Sequence, residues 1–455
     1  MGKNIVIFSD GTGQRGGLLF DERRSNIYKL YRATRCGPDS SIDPAEQLTF
    51  YDPGLGTLPG GLGLLGAMGR RIYNLVSQAT GLGITANIID CYAAVIGMWE
   101  PGDRIFLFGF SRGAYTVRCL GGVMALCGVP TRMKDGSALK RDKKTARAIA
   151  AEAVKKVYQH VSSPRDAKHV TQRVALAERF RADYGADADG KSNAFPYFIG
   201  VFDTVASLAS RGAIGLLTAA VLALLAGASG VLWYFNYPFL RSLAWLSVIA
   251  VVLAAIAYVV THVKFALGLK GFSFWDTLHF TAPKFKFYDQ TLNQNVAYAR
   301  HALSIDEERA DFARVPWGTP AYSRDTQPIW FEQIWFAGNH SDVGGSYPEN
   351  EARLSDTTLK WMVDEAKSVP EGLKIDASVL RLYPSADGMQ HDECRAGVFR
   401  FGRKQSRIVP ADAPVHPSVY ERLKLPSVLQ YDVMRPYRPE GLRGHDKCKQ
   451  YYVLD

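Results

Sequence analysis

A serine between glycines, a downstream aspartate and a later histidine are the residues of this chain whose types and order could carry out acyl transfer. Ser111 lies in Gly109-Phe110-Ser111-Arg112-Gly113. Before it, Ile105, Phe106, Leu107 and Phe108 form a short apolar run bounded by glycine, the pattern of a buried strand. After it, Ala114, Tyr115, Val117 and Leu120 recur at helical spacing. Strand, G-x-S-x-G and helix is the setting of a nucleophile elbow, a turn so sharp that Gly109 and Gly113 must be small. The competing reading is a glycine-rich turn that packs a helix onto a sheet.

A serine hydroxyl is a weak nucleophile at neutral pH unless a histidine takes its proton and a carboxylate orients that histidine. In an α/β-hydrolase arrangement the chain order is Ser, then Asp or Glu, then His, each on a loop after a strand. The run Tyr197 to Phe202 ends on Asp203, and Ile334 to Ala337 releases through Gly338 and Asn339 into His340. Asp203 is therefore the expected acid and His340 the expected base. Asp342, two residues beyond His340, is too close in sequence to support it from a separate loop and reads as a supporting turn-former. His301 falls in "ARHALSIDEERADF", a helical pattern, and is expected to pack or to support the site. His160, His169, His262, His279, His391, His416 and His445 lack a strand-to-loop setting. The first strand, residues 4–8, opens into Ser9-Asp10-Gly11-Thr12-Gly13. Phe8 stands where a phosphoryl-transfer aspartate would, so the turn is read as an oxyanion hole, with backbone N–H groups from Gly11, Thr12 and Arg112. Asp10 would orient this loop or the attacking water. The mechanism requires no metal and no cofactor.

These residues need a large α/β scaffold, and 455 residues allow one. The formal charge of +10 favours anionic surfaces, and no zinc-finger, RNA-binding or basic-zipper pattern points to nucleic acid. Six scattered cysteines without a CxxC pair fit reduced thiols in a cytosol-facing protein. Residues 212–235 carry no charge, and neither do 243–261, each about long enough to cross a hydrocarbon core as a helix. Asn236 and Pro238 break the two runs, and Trp233, Tyr234, Tyr237 and Trp245 sit where interfacial aromatics belong. Arg211, Lys264 and Lys270 outside the pair, against Arg241 in the turn, place the flanks in the cytoplasm. The competing reading is a buried helical hairpin. Residues 132–183 hold fourteen Lys and Arg against six Asp and Glu. Helical spacing from Thr145 to His160 puts Ala148, Ala151, Val154 and Val157 near one face. Such a basic surface beside a membrane hairpin suits anionic lipid, although most such faces are simply solvated.

"FSDGTG", "YDPGLGT", "GDRIFLFGFSRGAYTVR", "VFDTVAS", "HALSIDEERADF" and "WFAGNHSDVGGSY" together resemble the ordered motifs of a bacterial and fungal α/β-hydrolase family. Its best-understood members are phospholipase effectors of type VI secretion systems. The resemblance runs discontinuously from about residue 4 to 347. It implies triad positions for Ser111, Asp203 and His340, glycerophospholipid acyl esters as substrate, and an immunity or secretion partner if the chain is an effector.

The expected fold is α/β: an α/β-hydrolase-like, mostly parallel sheet with helical insertions and a two-helix membrane hairpin. The hydrolase domain would run over 1–211, with a basic helical insertion at about 132–190, and resume over 263–347. The hairpin would span 212–262, and 348–455, rich in proline and aromatics, would form a small irregular domain or cap. The expected activity is serine ester hydrolysis of membrane glycerophospholipids by a membrane-associated enzyme whose catalytic domain faces the cytoplasm. The alternatives are an anchored esterase for small esters and a non-catalytic membrane scaffold.

Overall fold

The structure is a computed structural model. It describes residues 2–11, 23–54, 82–205, 211–281, 291–312, 314–315, 317–318, 327–395 and 402–452. Six strands form the central sheet: β1 (Asn4–Ser9), β2 (Gln47–Asp52), β3 (Arg104–Phe110), β4 (Pro196–Phe202), β5 (Tyr298–Ser304) and β6 (Phe331–Phe336). Their order is β2-β1-β3-β4-β5-β6, and every neighbouring pair is parallel. A parallel sheet is covered on both faces, so its strands read as nearly unbroken apolar runs. "NIVIF" and "IFLFGF" are such runs.

Alternate residues feed two cores. Ile5, Ile7, Ile105, Leu107, Ile199 and Val201 point to one face, against α2 (Leu82–Met98), α3 (Arg112–Cys127), α4 (Lys143–Glu152) and α5 (Val170–Tyr184). Val6, Phe8, Phe106, Phe108, Phe198 and Phe202 point to the other, against α1 (Asn26–Thr34) and α9 (Arg353–Ser368). The segment 348–455 is therefore more than a cap: its first long helix closes one face of the sheet. Its later residues Val409, Val419, Leu423, Tyr437 and Leu442 pack on Leu303 and Trp335 of the β5–β6 edge.

Two expectations of local structure are corrected. His301 lies on strand β5 and not in a helix. With both faces covered, that strand shows no polar alternation, and its alanines and leucine imitate helical spacing. The buried face of the basic helix is Ala146, Ile149, Ala150, Ala153, Val154 and Val157, while Ala148 is exposed. The helix starts at the Asp142 cap and passes into one π turn, Ala153–Val157, which shifts the apolar stripe by about one residue. Much of the basic segment thus packs into the main core.

The uncharged runs form α6 (Arg211–Tyr234) and α7 (Phe239–His262), two helices of 24 residues that pack on each other across a turn at Asn236, whose φ is 60°. Leu222, Trp233, Leu240, Val251 and Val260 are all more than half exposed. Among the described residues, one helix, α7, is long and apolar enough to cross a membrane. A hairpin of two spans was expected; by length and composition the described residues offer one candidate span, α7, so the two-span hairpin is not supported.

Candidate active site

The strand order reverses direction between β1 and β3, the switch point at which open α/β sheets form their ligand crevice. Ser111 follows β3 at that point. Its φ and ψ are 58° and −120°, a strained backbone for a residue with a side chain. The turn is held by Ser111 N–H donating to Phe202 O at 3.1 Å and by close backbone approaches on both sides. A Cβ on Gly109 would stand 2.5 Å from the Gly113 carbonyl oxygen, and one on Gly113 would stand 1.9 Å from the Ser9 oxygen. Both glycines are therefore required by contact, not by flexibility.

Asp203 follows β4 with φ of 38° and no exposure. Its carboxylate accepts four hydrogen bonds. Oδ1 takes Ser304 N–H at 3.1 Å and Arg407 Nη1 at 2.5 Å, while Oδ2 takes Arg407 Nη2 at 3.0 Å and His340 Nδ1 at 2.6 Å. Burial alone would push the carboxyl up; the Arg407 guanidinium and the His340 hydrogen bond outweigh it and hold Asp203 well below the usual carboxylate range. An ionised Asp203 makes His340 Nδ1 the protonated nitrogen and leaves Nε2 with its lone pair.

His340 opens α8 (His340–Gly344) just after β6, with Asn339 as its cap. Asn339 accepts from Ser341 N and Asp342 N, and Asp342 Oδ2 accepts back from Asn339 N at 3.0 Å. The His340 ring lies 4.6 Å from the Phe110 ring and 5.2 Å from the Phe312 ring. Burial lowers its pKa more than Asp203 raises it, which keeps the imidazole neutral and able to accept a proton. The structure thus joins Asp203 to His340, and it seats Ser111 next to Phe110, which packs on His340. Among the described residues Ser111 makes no hydrogen bond to His340; such contacts often tighten only when substrate is bound.

The expected oxyanion donors fare unequally. Gly11 N–H is directed at Asp10 Oδ1 at 2.7 Å, so this amide is taken by a carboxylate and is not a spare donor beside Ser111. Thr12 lies outside the described residues. Arg112 is the first residue of α3, directly after Ser111. Asp10 orients the loop: besides Gly11, it accepts from Ser25 Oγ at 2.5 Å and Tyr51 OH at 2.7 Å. Burial, opposed by those bonds, raises its pKa to about 7. Gly54, from the "YDPGLGT" motif, backs the same loop, since a Cβ there would meet Gly11 O at 2.4 Å. Asp342 pairs with His391 Nδ1 at 2.7 Å and so ties α8 to the C-terminal segment.

Sequence reasoning missed Arg407. It lies 204 positions from Asp203 in a segment without a motif, and no local signal marks it. Among the described residues, only His160, His169 and His279 gather as ligands that a metal ion could use, and they lie outside this site.

The model of the catalytic domain of Tle1-like phospholipase effectors of type VI secretion systems matches residues 3–365. An uncharacterized protein of Saccharomyces cerevisiae is 30% identical over 212 residues, which are 46% of this chain and 27% of that protein. Among solved structures, an uncharacterized protein from Pseudomonas aeruginosa shares 16% identity at a TM-score of 0.36, covering 82% of this chain and 46% of that one. The Tle1 effector bound to the VgrG spike shares 16% identity at a TM-score of 0.30, covering 78% and 52%. The chain thus spans about a quarter of the yeast protein and about half of each structural neighbour.

Proposed function

The chain belongs to the family of Tle1-like type VI secretion phospholipase effector catalytic domains, and from that premise we propose that it is a serine ester hydrolase of membrane glycerophospholipids. Ser111 is the nucleophile, His340 the general base and Asp203 its orienting acid. The 2.6 Å bond from His340 Nδ1 to a buried, ionised Asp203 carries this reading, because it leaves Nε2 as a base at the edge of the elbow crevice. His340 takes the Ser111 proton as Oγ attacks the ester carbonyl. The tetrahedral oxyanion rests on backbone N–H groups, Arg112 among them, and His340 then protonates the departing alcohol. Water, activated by the same histidine, releases the fatty acid.

The apolar pair α6–α7 is the membrane-associated part of this proposal. Its lipid-sized exposed face suits insertion into the bilayer that holds the substrate, with the catalytic domain on the cytoplasmic side. A secretion or immunity partner belongs to the proposal only if the chain is delivered as an effector.

Mass spectrometry of phospholipid vesicles incubated with wild-type and Ser111→Ala protein tests the reading. Wild type should release free fatty acid and lysophospholipid, and the variant should lose at least about 10³-fold in rate. Folded Ser111→Ala protein that keeps most of the activity would falsify the assignment.

A further inference from the structure

Three histidines from separate segments meet at the foot of the α6–α7 hairpin. His160 ends the turn Tyr158–His160, and His169 leads directly into α5. His279 lies on the short strand His279–Phe280, which pairs with Val263–Lys264 as the chain leaves α7. All three are buried, and one ligand atom from each lies within 4.8 Å of the others. The His169 and His279 rings stack at 3.7 Å, and His160 stands edge-on to His279 at 4.7 Å.

The protons in this cluster can be placed from its acceptors. Gln172 Nε2 donates to Asp276 O at 2.9 Å, which turns Oε1 toward the histidines. That oxygen lies 3.0 Å from His160 Nε2 and 2.9 Å from His169 Nδ1, so both nitrogens carry hydrogen. Their lone pairs then sit on His160 Nδ1 and His169 Nε2. His169 Nε2 is buried and has no hydrogen-bond partner. Both nitrogens of His279 face carbonyl oxygens, Thr277 O and His160 O, each at 2.8 Å. Four ring nitrogens thus face acceptors, while three neutral imidazoles supply only three N–H groups. The cluster asks for one positive charge beyond its neutral rings and holds a buried lone pair aimed at nothing.

We propose that His160, His169 and His279 bind a divalent transition-metal ion of the zinc class, which staples the foot of the hairpin to the hydrolase core. His160 Nδ1, His169 Nε2 and His279 Nε2 are the ligand atoms, and water completes a tetrahedron. Each remaining N–H keeps an oxygen acceptor, Gln172 Oε1 for two rings and Thr277 O for the third, as metal-bound histidines usually do. Zinc–nitrogen bonds of about 2.0–2.1 Å set the ligands ~3.3 Å apart, so the rings draw together and His279 releases the His160 carbonyl. The site is independent of the ester chemistry. Its ligands are 9 and 110 positions apart in the chain, which is why no sequence spacing announces them.

The test uses untagged full-length protein in detergent, stripped with a chelator, titrated with zinc chloride alone and desalted. About one equivalent of zinc should remain by elemental analysis, and cobalt in its place should give the visible absorption of a tetrahedral site. His169→Gln and His279→Gln should each weaken zinc binding by at least about 10-fold. Hydrolysis of a soluble ester by His169→Gln should stay at the wild-type rate. Substoichiometric zinc on the wild-type protein overturns the proposal, as does zinc binding that both variants leave unchanged. Thermal stability that follows pH and ignores zinc also overturns it, because the extra charge is then a proton.

Discussion

Replacing Arg407 by glutamine removes the cation that shares Asp203 with His340. Guanidinium and imidazole bind the same carboxylate, at 2.5 and 3.0 Å for Arg407 and 2.6 Å for His340. Two charges on opposite sides of one carboxylate lie ~6–7 Å apart, worth about 2–3 kcal/mol at an effective dielectric of ~20. The sign is fixed by what Arg407 does to each partner. Its positive charge stabilises the ionised form of Asp203, and by Coulomb's law the same charge disfavours a protonated His340 across that carboxylate. Without it, His340 holds its proton to higher pH, so the acid limb of kcat/KM should move upward by about 1–2 units after allowance for solvent at the crevice mouth. Arg407→Lys keeps the charge and loses the fork, and should move the limb by less than ~0.5 unit. A pH profile of kcat/KM on a soluble short-chain ester reads the shift directly. Stability should fall as well, since removing one partner of a buried pair costs on the order of 3–5 kcal/mol, softened here by the His340 and Ser304 donors that remain. A folded Arg407→Gln enzyme with the wild-type acid limb would refute the electrostatic role and leave Arg407 as packing.

His340→Ala should disable ester hydrolysis as fully as Ser111→Ala, because members of one triad do not add. His301→Ala, which loses bonds to Gln333 and Thr204 inside the sheet, should lower the melting temperature far more than kcat; the reverse pattern would show that His301 is the base. Asp10 has a folded pKa raised to about 7, chiefly by burial, so it contributes stability at acid pH that is lost as pH rises through that value. Denaturant melts of Asp10→Asn should be flatter than wild type between acid and mildly alkaline pH, and an unchanged slope would remove Asp10 as the cause. Deleting 212–262 behind a short flexible linker should give detergent-free protein that hydrolyses a soluble ester but loses rate on vesicles. Full-length protein that is soluble without detergent, paired with a deletion that unfolds, would mean the helices are core.

What could be read in the sequence was local. The elbow declares itself because apolar run, G-x-S-x-G and helical spacing are contiguous, and the steric need for glycine at 109 and 113 is met within a few residues of Ser111. Asp203 and His340 were legible for a similar reason: each follows a buried strand of the same sheet, and parallel strands deliver their carboxyl ends to one edge. Strand β5 was not legible, because burial on both faces erases the alternation that distinguishes strand from helix. The role of Gly11 was missed for a different cause. The identity of the residue suggests a free amide, but the side chain of Asp10 turns to bond that amide, and no spacing rule encodes the turn.

Arg407 shows why the C-terminal segment belongs in any account of the site. A carboxylate with no exposure is costly unless it is paired and fully hydrogen-bonded. Asp203 has one donor from the sheet, Ser304 N–H, and one from the histidine it orients. Those two leave half of its bonds to be supplied, and both come from Arg407, whose own fork is anchored on Ser304 O at 3.1 Å and Phe312 O at 2.8 Å. Arg407 lies beyond residue 365, where the family match ends. The segment that carries it is held to the β5–β6 edge by an apolar cluster that includes Leu303, Trp335 and Val409. Packing at that edge and ionisation of the Asp203 carboxylate are therefore one coupled requirement: loosening the cluster withdraws the guanidinium, and withdrawing the guanidinium leaves a buried charge with half its partners.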